Sequence, residues 1–144
     1  MTELHVSFRV GDADYVVPAA QVLHLESYTA ATPVPGAPDF VAGIVQVRGR
    51  LVPIVDLRKR FGLAPVEHTL DHRIVVVQVG ERVAGLLVDS AREVLKLDQD
   101  AYAPPPEIIE QQAHGFIRAV ATVTKRVFLV VDVSRVIAQE AARE

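Results

Sequence analysis

The sequence has no cysteine and no tryptophan, one methionine, and only 6% aromatic residues. Without cysteine there are no disulfides, thiolate nucleophiles or cysteine-ligated metals, which fits a reducing compartment. With so few rings, Val, Leu and Ile must build the core, and β-branched Val favours strands. Apolar runs stop at five or six residues, as in Val127 to Val131, far short of the ~20 that cross a bilayer. The start, Met-Thr-Glu-Leu-His-Val, lacks the regions of a signal peptide. A cytoplasmic protein with no direct membrane insertion is therefore expected. A net charge of −3 and a pI near 5.9 lack the basic footprint of a nucleic-acid binder. No Walker motif or dinucleotide fingerprint is present, and Ser7, Ser27 and Ser90 sit in no nucleophile elbow. Neither ATP use nor hydrolysis is expected, and no cofactor is implied.

What is present reads as short strands. The 144 residues suit one compact domain. Leu4, Val6, Phe8 and Val10 alternate with His5, Ser7 and Arg9, the period of a half-buried strand. Gly11-Asp12 marks a turn into Tyr15-Val16-Val17, and Val22 to Leu25 alternates again. The stretch 32–38, with three prolines, is a shaped loop. Gly43 to Val47 and Leu51 to Val55 flank a turn at Arg48-Gly49-Arg50, a hairpin pattern. Asp56 can cap a short helix from Leu57 to Phe61 that Gly62 ends. After a connector at 63–72, strands resume at Arg73 to Val79, Val83 to Val88 and Val94 to Leu97. A second long loop, 98–114, centres on Pro104, Pro105 and Pro106. Phe116 to Val123 and Arg126 to Val131 form another hairpin. Asp132 or Ser134 caps a last helix to about residue 142, with Val133, Val136, Ile137 and Ala141 on its apolar face.

The two halves match. Val22 to Leu25 aligns with Val94 to Leu97, and Gly43-Ile44 with Gly115-Phe116, both offset by 72; Arg50 to Leu57 aligns with Arg126 to Val133, offset by 76. Val10-Gly11-Asp12 likewise resembles Val79-Gly80-Glu81. About five short strands per half is a small-barrel pattern. The expected fold is all-β with short helices: lobe 1 about 12–70, lobe 2 about 71–144, with terminal strands able to complete the other barrel. Seams between lobes are common binding sites.

Among polar clusters, His68, Asp71 and His72 have metal-like spacing. Pro65 before them and a strand after them make a polar connector the expected reading. Arg48, Arg50, Arg58, Lys59 and Arg60 form a basic run without the interleaved aromatics of a nucleic-acid platform. Arg48 stands apart. A tight turn just before Gly49 holds its base still and projects its side chain, and a rigid arginine is a favoured interface anchor.

The segment Gly43-Ile44-Val45-Gln46-Val47-Arg48-Gly49-Arg50-Leu51-Val52-Pro53-Ile54-Val55-Asp56-Leu57-Arg58 resembles the CheW-type adaptors of bacterial chemotaxis. So do Val83 to Asp89 and the Pro-rich loop leading to Phe40 and Gly43, and the likeness extends over about residues 4 to 140. The resemblance implies a CheW-like domain of two five-stranded, SH3-like barrels and a C-terminal helix. It implies an adaptor without catalytic activity that couples the cytoplasmic tips of methyl-accepting chemoreceptors to the regulatory domain of the histidine kinase CheA, recruited to membrane-associated arrays. The receptor tip would lie in the groove between the lobes. On that basis Arg48, Val22, His24, Gly49 and Val88 are candidate receptor contacts, and Gly43, Leu25 and Glu26 candidate kinase or coupling residues. Pro53, Asp56, Leu57 and Asp132 are expected to serve folding. The chain departs from the family pattern at His24, where an acidic residue is usual, and at Gln46 in place of asparagine. Glu26 lies on the strand face of His24 and can compensate. These departures leave open an adaptor of a divergent chemosensory system controlling motility, development or gene expression. A sensor binding a small ligand between the lobes is the reading from another class.

Overall fold

The computed structural model describes residues 2–112 and 115–138. The chain runs β1 (Thr2–Val10), β2 (Ala13–Pro18), β3 (Val22–Ser27), β4 (Val41–Val47), β5 (Arg50–Asp56), α1 (Leu57–Arg60), β6 (Arg73–Val79), β7 (Arg82–Val88), β8 (Ser90–Asp98), β9 (Tyr102–Ala103), α2 (Glu107–Gln112), β10 (Ile117–Val123), β11 (Arg126–Val131) and α3 (Val133–Val136). The all-β class with short helices is as expected. Two sheets form, one in the order β3-β6-β7-β5-β4 and the other β8-β1-β2-β11-β10-β9.

That order moves the lobe boundary. The first lobe's sheet spans residues 22–88, and the second is made from 2–18 together with 90–131. A division near residue 70 would cut the first sheet, because β6 pairs with β3 along one side and β7 along the other. The duplication is present, but each half lends its first hairpin to the other lobe. β1–β2 completes the second lobe, and β6–β7 completes the first. The parallel pairs correspond as well: Val130 faces Val16 as Ile54 faces Gly85.

The ladders also correct the repeat alignment. Val10 pairs with Ala13 as Val79 pairs with Arg82. The register slip at Ser7/Phe8 in β1·β8 recurs at Val22/His24 in β3·β6. Matching these, His24 corresponds to Glu93 and Leu25 to Val94, not to Lys96 and Leu97. In the later strands the slip at Val41/Gly43 recurs at Ile117/Ala119. Gly43-Ile44 therefore corresponds to Ala119-Val120, and Phe40, not Ile44, corresponds to Phe116. The Asp56 N–H donates to the Phe40 carbonyl, and the Asp132 N–H to that of Phe116, both at 2.8 Å.

Three apolar clusters hold the fold. A shared core between the sheets includes Phe8 and Val17 from one sheet, Val75 and Leu86 from the other, and Val133 and Val136 of α3. Val52, Ile54, Ile74 and Val76 fill the first lobe, and Val16, Leu97, Phe128 and Val130 fill the second. Strands buried on both faces read as continuous apolar runs, hence Ile74-Val75-Val76-Val77. β1 is buried on both faces too, although it alternates. His5 and Ser7 point into the second lobe with no exposed surface, so β1 is not half-buried as its period suggests.

The caps form as expected. Asp56 accepts from the Arg58 and Lys59 N–H groups, and Asp132 from that of Arg135. Both helices are one turn long. Gly62, at φ +77°, follows α1, and residues 139–144, Ala141 included, lie outside the described residues. The loop expected at 98–114 holds β9 and α2.

Candidate protein-docking site

The β4–β5 hairpin closes on the pair Val47–Arg50, leaving a two-residue turn. Arg48 and Gly49 have φ of +51° and +82°. Two positive φ values suit a hairpin's twist, and glycine adopts one freely, whereas arginine does so at a cost of about 1 kcal/mol. The turn carries Arg48 to the end of β3, where its Nε donates to Glu26 Oε2 at 3.1 Å. Among the described residues β3 and β4 share no ladder, so this pair bridges the two ends of the first sheet. Arg48 is 66% exposed and Glu26 29%. Such an exposed pair adds at most about 1 kcal/mol, and its geometric effect is the larger one. Glu26 engages only Nε, and the terminal nitrogens of this exposed side chain have no partner among the described residues.

The other candidates divide. His24 and Glu26 lie beside Val76 and Ile74 and share a face. The bulge turns Val22 to the other side, beside Val77, where it packs against the shared core. Leu25, beside Val75, is exposed. Gly49 is open, and an added Cβ there meets nothing. Gly43 is buried at φ +145°, and a Cβ there would run into the Thr32 carbonyl. Thr32 and Ile44 exchange two backbone hydrogen bonds of 2.9 Å at that point, so Gly43 lets the Pro-rich loop lie on β4. Val88 is 1% exposed within the shared core, so its side chain offers no contact to a partner. Leu57 is fully buried, and Pro53 lies opposite Ile44 in the ladder.

The basic run is not a patch. Arg58 places Nε and one terminal nitrogen on Asp89, at 3.0 and 2.6 Å, and its other nitrogen on the Ala64 carbonyl. Arg60 stacks on Phe40, 3.7 Å from the ring centroid, and lies 4.8 Å from that of Phe116. It also donates to the Val136, Arg135 and Ala138 carbonyls. Both arginines therefore serve the fold. Burial pushes the Asp89 carboxyl up, but Arg58 and the Gly11 N–H outweigh it and hold its pKa below the ordinary carboxylate range. His72 is buried, its Nδ1 accepts the Thr69 N–H, and its Nε2 lies 3.7 Å from Asp89. Burial and the neighbouring His68 lower its pKa. Among the described residues no three ligating side chains converge on a metal position.

Sequence reasoning missed a second corner. Arg126 on β11 donates to Glu93 of β8 at 2.6 Å, an ion pair between non-adjacent strands of the second sheet at the positions that Arg50 and His24 hold in the first. Beside these corners, exposed aliphatics recur at equivalent positions: Leu25 and Leu51 on the first lobe, Val94 and Val127 on the second. The signal was present in the repeat, at the offsets that the ladders set. The seam itself is filled by the shared core.

Fold and surface together define a two-lobed, all-β module that presents paired, ion-bridged corners flanked by aliphatic side chains. The chain belongs to the CheW-like domain family, whose model matches residues 4–141. It is 36% identical over 135 residues to the chemotaxis protein CheW of Rhizobium meliloti (strain 1021), covering 94% of this chain and 87% of that one. To a probable chemotaxis protein CheW of Rhizobium etli it is 33% identical, covering 88% and 82%. The crystal structure of the scaffolding protein TtCheW from Thermoanaerobacter tengcongensis superposes with a TM-score of 0.84 at 28% identity, covering 92% of this chain and 90% of that one.

Proposed function

We propose that the chain is a non-catalytic adaptor that couples chemoreceptors to a CheA-type histidine kinase in a chemosensory array, working as one CheW-like domain. The observation that carries this reading is Arg48, which the strained turn and Glu26 hold with two guanidinium nitrogens unpartnered among the described residues. A planar fork so held suits a carboxylate on a receptor tip. His24 shares a face of β3 with Glu26, and Glu26, expected as a kinase or coupling residue, is reassigned with His24 and Gly49 to the receptor side because its carboxylate holds Arg48. Leu25 lies on the opposite face of β3 and is assigned to the kinase. Gly43 acts through the Pro-rich loop that it admits. The mechanism changes no bond. Binding both partners in register lets a receptor signal shift the kinase between its states, a coupling typically of about 1–3 kcal/mol. No described helix is long and apolar enough to cross a membrane; in this reading the chain is recruited to an array by its partners.

The test is titration calorimetry of the protein with a receptor-tip fragment and, separately, with the kinase regulatory domain from the same organism. Saturable binding to both is expected. Failure to bind either one would remove the adaptor role.

A further inference from the structure

The second lobe has an opening that the first lobe closes. A cleft of about 490 Å³ lies between β9 with its prolines and the start of β10, lined by Tyr102, Pro104, Pro105, Ile117, Arg118 and Ala119 among others. In the first lobe, Ala42 and Gly43 stand where Arg118 and Ala119 stand here. There the loop backbone at Thr32 presses onto Gly43 so closely that no Cβ fits. In the second lobe, Ala103 pairs with Val120, the match of the Thr32–Ile44 bridge, and Ala119 carries a Cβ where Gly43 has none. Prolines bring no N–H to the wall, so Pro104 and Pro105 line one side of the cleft without a backbone donor.

Its one aromatic wall is fixed from behind. The Tyr102 hydroxyl lies 2.5 Å from His5 Nε2, and His5 Nδ1 lies 3.1 Å from the Glu3 carbonyl. With Nδ1 donating to that carbonyl, Nε2 accepts from the phenol, and the ring cannot swing in to fill the space. The Arg118 guanidinium lies 5.9 Å from the Tyr102 ring centroid. Among the described residues it has no carboxylate partner, unlike Arg48, Arg58 and Arg126.

A proline wall, a pinned ring and a guanidinium without a carboxylate partner among the described residues select an amphipathic anion. We propose that this cleft binds a monocarboxylate with a compact apolar body, the carboxylate held by Arg118 and the body laid on Tyr102 between the prolines. The same chemistry is offered by a free organic acid and by the C-terminal residue of a protein. The proposal does not depend on the adaptor reading.

The experiment is a two-dimensional NMR titration of the full chain with three probes: phenylacetate, its neutral isostere phenylacetamide, and N-acetyl-glycyl-phenylalanine with a free C-terminus. Saturable shifts confined to Tyr102, Ala103 and the start of β10 are expected for both acids. The amide should bind about fivefold or more weakly, as an exposed ion pair allows. Arg118→Gln replaces an exposed side chain, so its spectrum should otherwise be unchanged while the acids lose a similar factor. Tighter binding of the dipeptide would assign the site to protein C-termini, and tighter binding of phenylacetate to small acids. The proposal is overturned by an absence of saturable shifts with either acid into the tens of millimolar, by equal affinity for acid and amide, or by an unaltered Arg118→Gln titration.

Discussion

The two lobes share one plan but solve their interiors differently. Ile74 and Val76 face into the first lobe, where His5 and Ser7 face into the second. His5 is tolerated because Tyr102, delivered by the extra strand β9, reaches its ring. Ser7 has no such visitor among the described residues, where its buried hydroxyl has no hydrogen-bond partner. The hairpin tips differ likewise. The first lobe turns on Arg48-Gly49, the second on Thr124-Lys125, both at positive φ without a glycine. A duplicated fold thus accepts a polar or strained residue locally when the rest of the lobe keeps its pattern, and the expense differs from site to site.

Substitutions that exchange features between the lobes test this, and the largest effect is expected at Gly43. Gly43→Ala places a side chain against the Thr32 carbonyl at a forbidden φ and should cost about 3 kcal/mol in urea unfolding. A loss below about 1 kcal/mol would show that the Pro-rich loop yields freely. Val76→Ser gives the first lobe the second lobe's buried hydroxyl and should cost about 2–3 kcal/mol. The converse, Ser7→Ala, should stabilise by about 1 kcal/mol, and a destabilised variant would mean that Ser7 has a partner after all. Lys125→Gly should raise stability by up to about 1 kcal/mol, because glycine relieves the left-handed position; an unchanged midpoint would show the turn to be unstrained.

The smallest effect is that of pH. The folded protein holds the pKa of His72 below its ordinary value, so the unfolded chain takes the proton first as pH falls. His72 therefore costs stability progressively below about pH 6.5, down to its folded pKa, and nothing above. His72→Gln should flatten the stability profile in that window. A profile as steep as that of the parent protein would place the proton elsewhere.

Much of this architecture was legible because it is local. Alternation marked the strands, Gly11, Gly49 and Gly80 marked turns, and Asp56 and Asp132 capped the helices as their positions suggested. Partnership was not legible. The offset between the halves changes from 69 at Leu25 and Val94 to 76 at Gly43 and Ala119, because the segment between β8 and β10 is longer than that between β3 and β4, and the match at offset 72 fell across that change. Period two reports two faces without saying which is wet, so the burial of His5 and Ser7 was invisible. Pro106 is a loop residue as read, but its carbonyl accepts the Ile109 N–H just before α2, and nothing in the proline run signalled that helix. At the site, Arg48 could be found from its turn, and Glu26 from its strand face. Val88 belongs to the same family-like pattern but serves the core.

In the proposed adaptor, Glu26 aims Arg48 at a receptor while the kinase is held elsewhere. Calorimetry of Arg48→Ala and Glu26→Gln against a receptor-tip fragment and the kinase regulatory domain tests it most directly. Receptor affinity should fall about tenfold or more for Arg48→Ala and by a smaller factor for Glu26→Gln, with kinase affinity unchanged in both. Receptor binding equal to that of the parent protein in both variants, or a parallel loss of kinase binding, would contradict the account.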